Sequence, residues 1–348
     1  MSSSNSADRV QQCCAALGTK RGVVLVTEPA TQAGAATRPV ALFVMGMNRS
    51  GTSAITRVLS LCGGTLPPRL AGANSRNPLG YWEPRASWRL NTAILRRHGS
   101  EWFDPTLRLQ EEGAFSASEH AACVREIKAF LTTLPTAQLV VIKNLQITAL
   151  SGIWFEAARQ AGFDVVVVIA LRHPQQVAVS LAAFNRASPE LANALWLKYT
   201  MLADTQTRAV PRVFVEYTNL LEDWRREMKR ISSALGIDLK AQDEGAIEEF
   251  LRPDLHNQRH DGPVTESLGS DWISTVYEEL DAAARDEPWD QPALDRVYQA
   301  YRASERGFRT AFEDFGRLHK FNWVIRPSMV NLFYEVLAVA HRRRGAWA

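Results

Sequence analysis

VALFVMGMNRSGTS, Val40 to Ser53, is the stretch on which the fold turns: six apolar residues run without a break into a glycine-flanked, basic, hydroxyl-rich turn. Directly behind it, Ile55, Val58, Leu59 and Cys62 recur at the i, i+3, i+4, i+7 spacing of one buried helix face. A strand, a tight loop and a helix in that order aim backbone N–H groups and the positive end of a helix dipole at an anion. Gly46 and Gly51 stand at the separation of the nucleotide-binding pattern GxxxxGK[ST], but Thr52 holds the lysine position and the cation has moved back to Arg49. Kinases and NTPases set that lysine on the β/γ-phosphates and the next hydroxyl on Mg²⁺. The loop therefore predicts a cradle for a phosphate-like group, built from Arg49, Ser50, Gly51, Thr52 and Ser53, without the ATP–Mg²⁺ apparatus.

A second junction of the same kind lies downstream. Val165 to Leu181, VVVVIALRHPQQVAVSL, reads as a buried strand ending in Arg172 that passes into a helix through His173 and Pro174. Proline suits the first turn of a helix, where its missing N–H costs nothing. Ser180 follows about two turns later, and an arginine fork with a hydroxyl can grip a phosphate monoester. Taken singly, each motif has a plain alternative: a structural glycine turn, or a charge at a strand end. Together they resemble the sulfotransferases that use 3′-phosphoadenosine 5′-phosphosulfate (PAPS). RSGTS resembles that family's 5′-phosphosulfate loop, and Arg172 with Ser180 reproduces the residue types and spacing that bind the 3′-phosphate.

The composition bounds the rest. At 348 residues, 46% hydrophobic and 22% charged, the chain has the make-up of a globular enzyme, and a net charge of +3 without a basic–aromatic stripe gives no reason to expect a nucleic-acid partner. Cys13, Cys14, Cys62 and Cys123 show neither metal spacing nor a disulfide framework. No apolar run reaches the roughly 18 residues of a membrane span, and no signal peptide is evident. These features predict a cytoplasmic location, unlike the membrane-anchored Golgi sulfotransferases, and one compatible with cytosolic PAPS.

Residues 1–38 read as a flexible leader and linker, with Val23 to Val26 as a short added strand or a docked extension. Residues 39–262 alternate strands and helices. The strand candidates are 40–45, 139–142, 165–171 and 213–217, apolar enough to be covered on both faces. That predicts an α/β fold: a P-loop-type parallel sheet flanked by helices, with a C-terminal helical region over 263–348 packed on it. Ligands in such folds bind beyond the carboxyl ends of the strands, where Arg49, Lys143 and Arg172 all fall. The last helix, apolar over Leu332 to Val339 and ending in Arg342, Arg343 and Arg344, reads as a helix whose basic end complements its dipole, with a membrane-surface or partner helix as the alternative.

The resemblance, which spans about residues 39–262, implies roles for further residues. IKNL places Lys143 at the family's strand-end lysine, where it would touch the transferring sulfuryl group, with an ordinary strand-terminal lysine as the alternative. Leu145 stands where cytosolic relatives carry a histidine base, and Asn144 where many bacterial relatives carry aspartate. GYWE, Gly80 to Glu83, resembles a segment of bacterial and carbohydrate-modifying sulfotransferases, which makes Glu83 the candidate base. An apolar setting beside Tyr81 and Trp82 would raise its pKa, whereas pairing with Arg85 or Arg89, or capping the next helix, would make it structural. Arg49 would stabilise the leaving phosphate. EYTNLLEDW resembles the family's YEDL segment, with Tyr217 aligned and Thr218 and Asn219 replacing its acidic pair, in a supporting role. Arg252 or Arg259 is a candidate to complete the 3′-phosphate site, and Ala54 leaves the family's adenine-stacking aromatic unfilled. His256 and His260 have the i, i+4 spacing of metal ligands but no third partner, so no metal is expected.

The implied activity is PAPS-dependent transfer of a sulfuryl group to a hydroxyl of a carbohydrate, glycolipid or secondary metabolite. A small-molecule P-loop kinase is one rival. The other is a non-catalytic nucleotide-binding protein that has kept its phosphate sites.

Overall fold

The computed structural model describes residues 38–73, 77–251, 262–265 and 271–324, apart from the side chains of 312 and 316–324. Expectations for residues 1–37, Arg252, His256, Arg259, His260 and the 332–344 helix lie outside the described residues. In chain order the elements are β1 (Val40–Met45), α1 (Thr52–Leu61), α2 (Arg85–Arg97), α3 (Ala117–Leu131), β2 (Leu139–Lys143), α4 (Leu145–Ala149), α5 (Ser151–Gln160) and β3 (Asp164–Leu171). There follow α6 (Pro174–Asn185), α7 (Pro189–Thr205), β4 (Arg212–Glu216), α8 (Tyr217–Glu222), α9 (Trp224–Leu235), α10 (Glu244–Phe250), α11 (Trp272–Ala284) and α12 (Gln291–Val324).

The four strands form one parallel sheet in the order β2-β1-β3-β4. Leu42 in β1 sits opposite Val141 on one side and Val166 on the other. Successive side chains of a strand point to opposite faces, and both faces here are covered. Ala41, Phe43 and Met45 join a core with Trp154, Ile169 and Leu280, while Leu42 and Val44 pack with Ile55, Leu59 and Ile231. Burial on both faces is the physical reason the strands are apolar at every position, and the α/β architecture is the one those runs predict.

β2, β3 and β4 each differ from the sequence expectation by one residue at one or both ends, and the C-terminal end of β4 has a plain cause. The 213–217 strand stops at Glu216, and Tyr217 opens α8. The Glu216 carboxylate accepts hydrogen bonds from the backbone N–H of Thr218 and of Asn219, the latter at 3.3 Å, and so caps the helix one residue early. The C-terminal helices are not peripheral to the sheet. Ile273, Val276 and Leu280 of α11 share the core with Phe214 of β4, and Tyr301 of α12 is buried against the same layer.

Because every strand runs the same way, all four carboxyl ends lie on one edge. That edge carries the loop after β1, Lys143 at the end of β2, Arg172 just past β3 and Glu216 at the end of β4.

Candidate functional site

The loop after β1 bends in three places that ordinary backbone avoids. Gly46 (φ +117°), Arg49 (φ +71°) and Gly51 (φ +82°) all lie at positive φ. A Cβ on Gly46 would stand 2.5 Å from the Ala170 carbonyl oxygen of β3, so the loop is pressed against the neighbouring strand. A Cβ on Gly51 would stand 2.4 Å from the Tyr217 ring, which makes Tyr217 the floor under the loop. Gly51 is the N-cap of α1 and offers no side chain to its first-turn N–H groups. Ser50 is fully buried, and its Oγ has no hydrogen-bond partner among the described residues. A helix start without a capping side chain and an orphaned buried hydroxyl are the features an anion would complete.

Two guanidinium groups stand over this loop. Arg49 Nε donates to Ser180 Oγ at 2.8 Å, while Arg172 donates to the Arg49 carbonyl at 3.0 Å and to Gln176 Oε1 at 2.8 Å. The Arg172 group also lies 5.0 Å from the Tyr217 ring centre. Burial holds the Arg49 guanidinium below its ordinary value, against the opposing pull of Tyr81 and Tyr217. Burial does the same to Arg172, where Tyr217 opposes the shift and the nearby charge of Arg49 adds to it. Neighbouring desolvated cations gain most from a shared anion. Ser180 thus meets Arg172 through Arg49 and not by a direct bond.

On the β2 side of the loop lies a second cluster. Lys143 is 3% exposed, and its Nζ donates to Glu83 Oε1 at 2.5 Å and to the Tyr81 carbonyl at 3.3 Å. It also approaches Ser53 Oγ at 3.5 Å, which ties this cluster to the loop after β1. Asn144 Nδ2 donates to Glu83 Oε2 at 3.3 Å. Glu83 is held in place by its backbone: its carbonyl accepts from Ala71 N–H at 2.7 Å, and Pro84 forms an antiparallel bridge with Leu70. The apolar setting expected for Glu83 is therefore not what surrounds it. An ammonium and an amide meet its carboxylate, while Arg85 Nε turns away to the Leu70 carbonyl and the N-cap of α2 is Pro84.

Sequence reasoning missed Asn91 and Trp154, both fully buried, and treated Asn144 only as a departure from a family pattern. An asparagine in the middle of an amphipathic helix was the available signal, since such a residue needs a buried partner. A cleft of about 390 Å³ lies past β3 and β4, lined by residues including His173, Glu216, Tyr277 and Asp281. Burial pushes the Glu216 carboxyl up to about 7, even though the Thr218 and Asn219 bonds oppose it. Among the described residues no group of three or more His, Cys, Asp or Glu side chains is arranged to hold a metal ion, and no helix is long and apolar enough to cross a membrane.

No protein-family model and no curated protein matches the chain. Solved structures do. The likeness is to sulfotransferases. The sulfotransferase domain of the Synechococcus PCC 7002 olefin synthase aligns at 16% identity with a TM-score of 0.37, covering 76% of this chain and 94% of that one. Sulfotransferase STF9 from Mycobacterium avium aligns at 15% identity with a TM-score of 0.36, over 76% of each chain. Retinol dehydratase, solved with androsterone and the inactive cofactor PAP, aligns at 17% identity with a TM-score of 0.33, over 72% of this chain and 80% of that one. A likeness of this size transfers no residue roles.

Proposed function

We propose that the chain is a PAPS-dependent sulfotransferase acting on a hydroxyl acceptor of small-molecule or glycan type. The observation that carries this is the pair of arginines, half-buried Arg49 and buried Arg172, joined by the Arg172 bond to the Arg49 carbonyl, with Ser180 held on Arg49, over an uncapped helix start whose lysine position is filled by Thr52. The arrangement offers two adjacent anion sites. The α1 N–H groups, Ser50 and Thr52 suit a 5′-phosphosulfate, and Arg172 with Ser180 suits a 3′-phosphate. Bound PAPS would supply an activated sulfuryl group whose S–O bond to phosphate is ready to break.

The residues of the chain supply the rest. Glu83 takes the proton of the acceptor hydroxyl as the new O–S bond forms and the bridging S–O bond breaks. Lys143, within reach of both Glu83 and Ser53, and Arg49 stabilise the charge that collects on the departing phosphate. The product, 3′-phosphoadenosine 5′-phosphate (PAP), leaves with the electron pair of the broken bond. Neither the sulfuryl transfer nor the proton transfer calls on a metal ion.

Calorimetric titration with PAP, 5′-AMP and ATP–Mg²⁺ tests the reading. PAP is expected to bind far more tightly than 5′-AMP, and Arg172→Ala to remove most of that preference, by roughly 1.5–3 kcal/mol for a lost charged hydrogen bond. Preference for ATP–Mg²⁺, or indifference to Arg172, would return the kinase reading to first place.

A further inference from the structure

Behind Glu83 runs a line of buried amides that the chemistry above does not use. The Trp154 indole N–H donates to Asn91 Oδ1 at 2.8 Å, and Asn91 Nδ2 donates to Asn144 Oδ1 at 3.0 Å. The backbone N–H of Gln146 donates to the same Asn144 oxygen at 3.0 Å, and Asn144 Nδ2 reaches Glu83 Oε2. Asn91, Asn144 and Trp154 are each at most 1% exposed.

The direction of this chain is set by its fixed ends. An indole N–H and a backbone N–H can only donate. The Asn91 oxygen must therefore face Trp154, which turns its NH₂ toward Asn144. The Asn144 oxygen must face both Asn91 and Gln146 N–H, which turns its own NH₂ toward Glu83. Flipping either amide would set donor against donor in a buried site, at the cost of an unmade bond. Trp154 itself is locked in the core by edge contacts to the rings of Phe43 and Phe130, so the anchor does not yield. The consequence falls on Glu83: Lys143 donates to one carboxylate oxygen and Asn144 to the other, from rigid elements on one side.

We infer that Asn144, oriented by Asn91 and Trp154, is a positioning residue: it always presents an N–H to Glu83 Oε2 and fixes which edge of the carboxylate faces the acceptor hydroxyl. The inference rests on the assignment of Glu83 as base in the proposed function. It also gives a physical reason for asparagine at 144, because an aspartate there would offer Glu83 a second carboxylate and no donor.

The test is NMR of the full chain carrying ¹⁵N-labelled asparagine, with Asn144→Ser and Asn91→Ser used to assign the side-chain amide signals. In the wild type, the Asn144 side-chain amide protons are expected to exchange slowly with solvent, as buried donors do, and Glu83→Gln to move their signals. Trp154→Phe, which removes the donor at the far end without touching Glu83, should loosen the orientation of both amides, read as displaced Asn91 and Asn144 signals and several-fold faster exchange. Asn144 amide signals indifferent to Glu83→Gln, or unchanged in folded Trp154→Phe, would overturn the inference. The Glu83→Gln comparison decides the matter even if Trp154→Phe does not fold. PAP calorimetry on the same wild-type sample keeps the two ideas apart: loss of PAP binding with the amide shifts intact counts against the sulfotransferase reading alone.

Discussion

Glu83 is met by an ammonium on one oxygen and an amide on the other, with side-chain exposure of 14%. A carboxylate so held has lost its freedom to turn, which is what a base needs if its lone pair is to meet one particular proton. Glu83→Gln keeps the shape and the bond to Lys143 but cannot take a proton. Once an acceptor is found, this variant is expected to lower kcat by about 10²–10⁴-fold, with PAP affinity changed only a few-fold. Release of PAP from PAPS under single-turnover conditions checks the first, and calorimetry the second. A collapse of PAP binding in this variant would instead make Glu83 a support for the loop. The residue scale is also where the sequence was least legible. Glycine spacing and strand-end position pointed to Arg49, Lys143 and Arg172, but the Lys143 partner of Glu83 lies 60 positions away along the chain. No local pattern encodes such a pairing.

At the scale of the element, β4 and α8 show how one side chain joins a strand to a helix and the helix to the loop after β1. Glu216 caps α8, and Tyr217, the first residue of that helix, lies under Gly51 and against Arg172. The Glu216 carboxyl is raised from its ordinary 4.5 to about 7 by burial, with Asp281 of α11 adding to the shift. Between those values the folded chain keeps a proton that the unfolded chain gives up. The stabilising contribution is thus full below about pH 4.5 and is lost as the pH rises through about 7. The difference amounts to at most about 3 kcal/mol. Glu216→Gln retains an acceptor oxygen for the helix cap and removes the titration. Denaturant unfolding across pH 5 to pH 8 (roughly the range that brackets the shift) is expected to show a flatter stability profile in this variant than in the wild type, and greater stability at the alkaline end.

Over the whole molecule, α12 acts as a brace between parts distant in sequence. The Tyr301 hydroxyl donates to the Pro105 carbonyl at 2.6 Å, and its ring meets that of Trp272 edge-on. Arg309 of the same helix pairs with Glu111, and Arg108 pairs with Glu313. These bonds fasten the segment after α2 to the C-terminal helices, on the core face that also holds Trp154. Tyr301→Phe leaves a buried carbonyl without its donor and is expected to cost about 1–2 kcal/mol of stability, read as a lower denaturant midpoint with an unchanged slope. The PAP affinity proposed above should stay unchanged, because the brace bonds do not involve the loop after β1.

By itself the amino-acid sequence determined the strands, the helix behind each one and the common edge on which Arg49, Lys143 and Arg172 stand. These follow from local periodicity and from apolar runs long enough to demand cover on both faces. Tertiary structure alone decided that Ser180 meets Arg49, that Glu83 meets Lys143 and that Trp154 orients two buried amides toward it. Each of those contacts spans more than fifty positions of the chain, and hydrogen-bond donors buried together choose their acceptors by geometry in three dimensions, not by spacing along the chain.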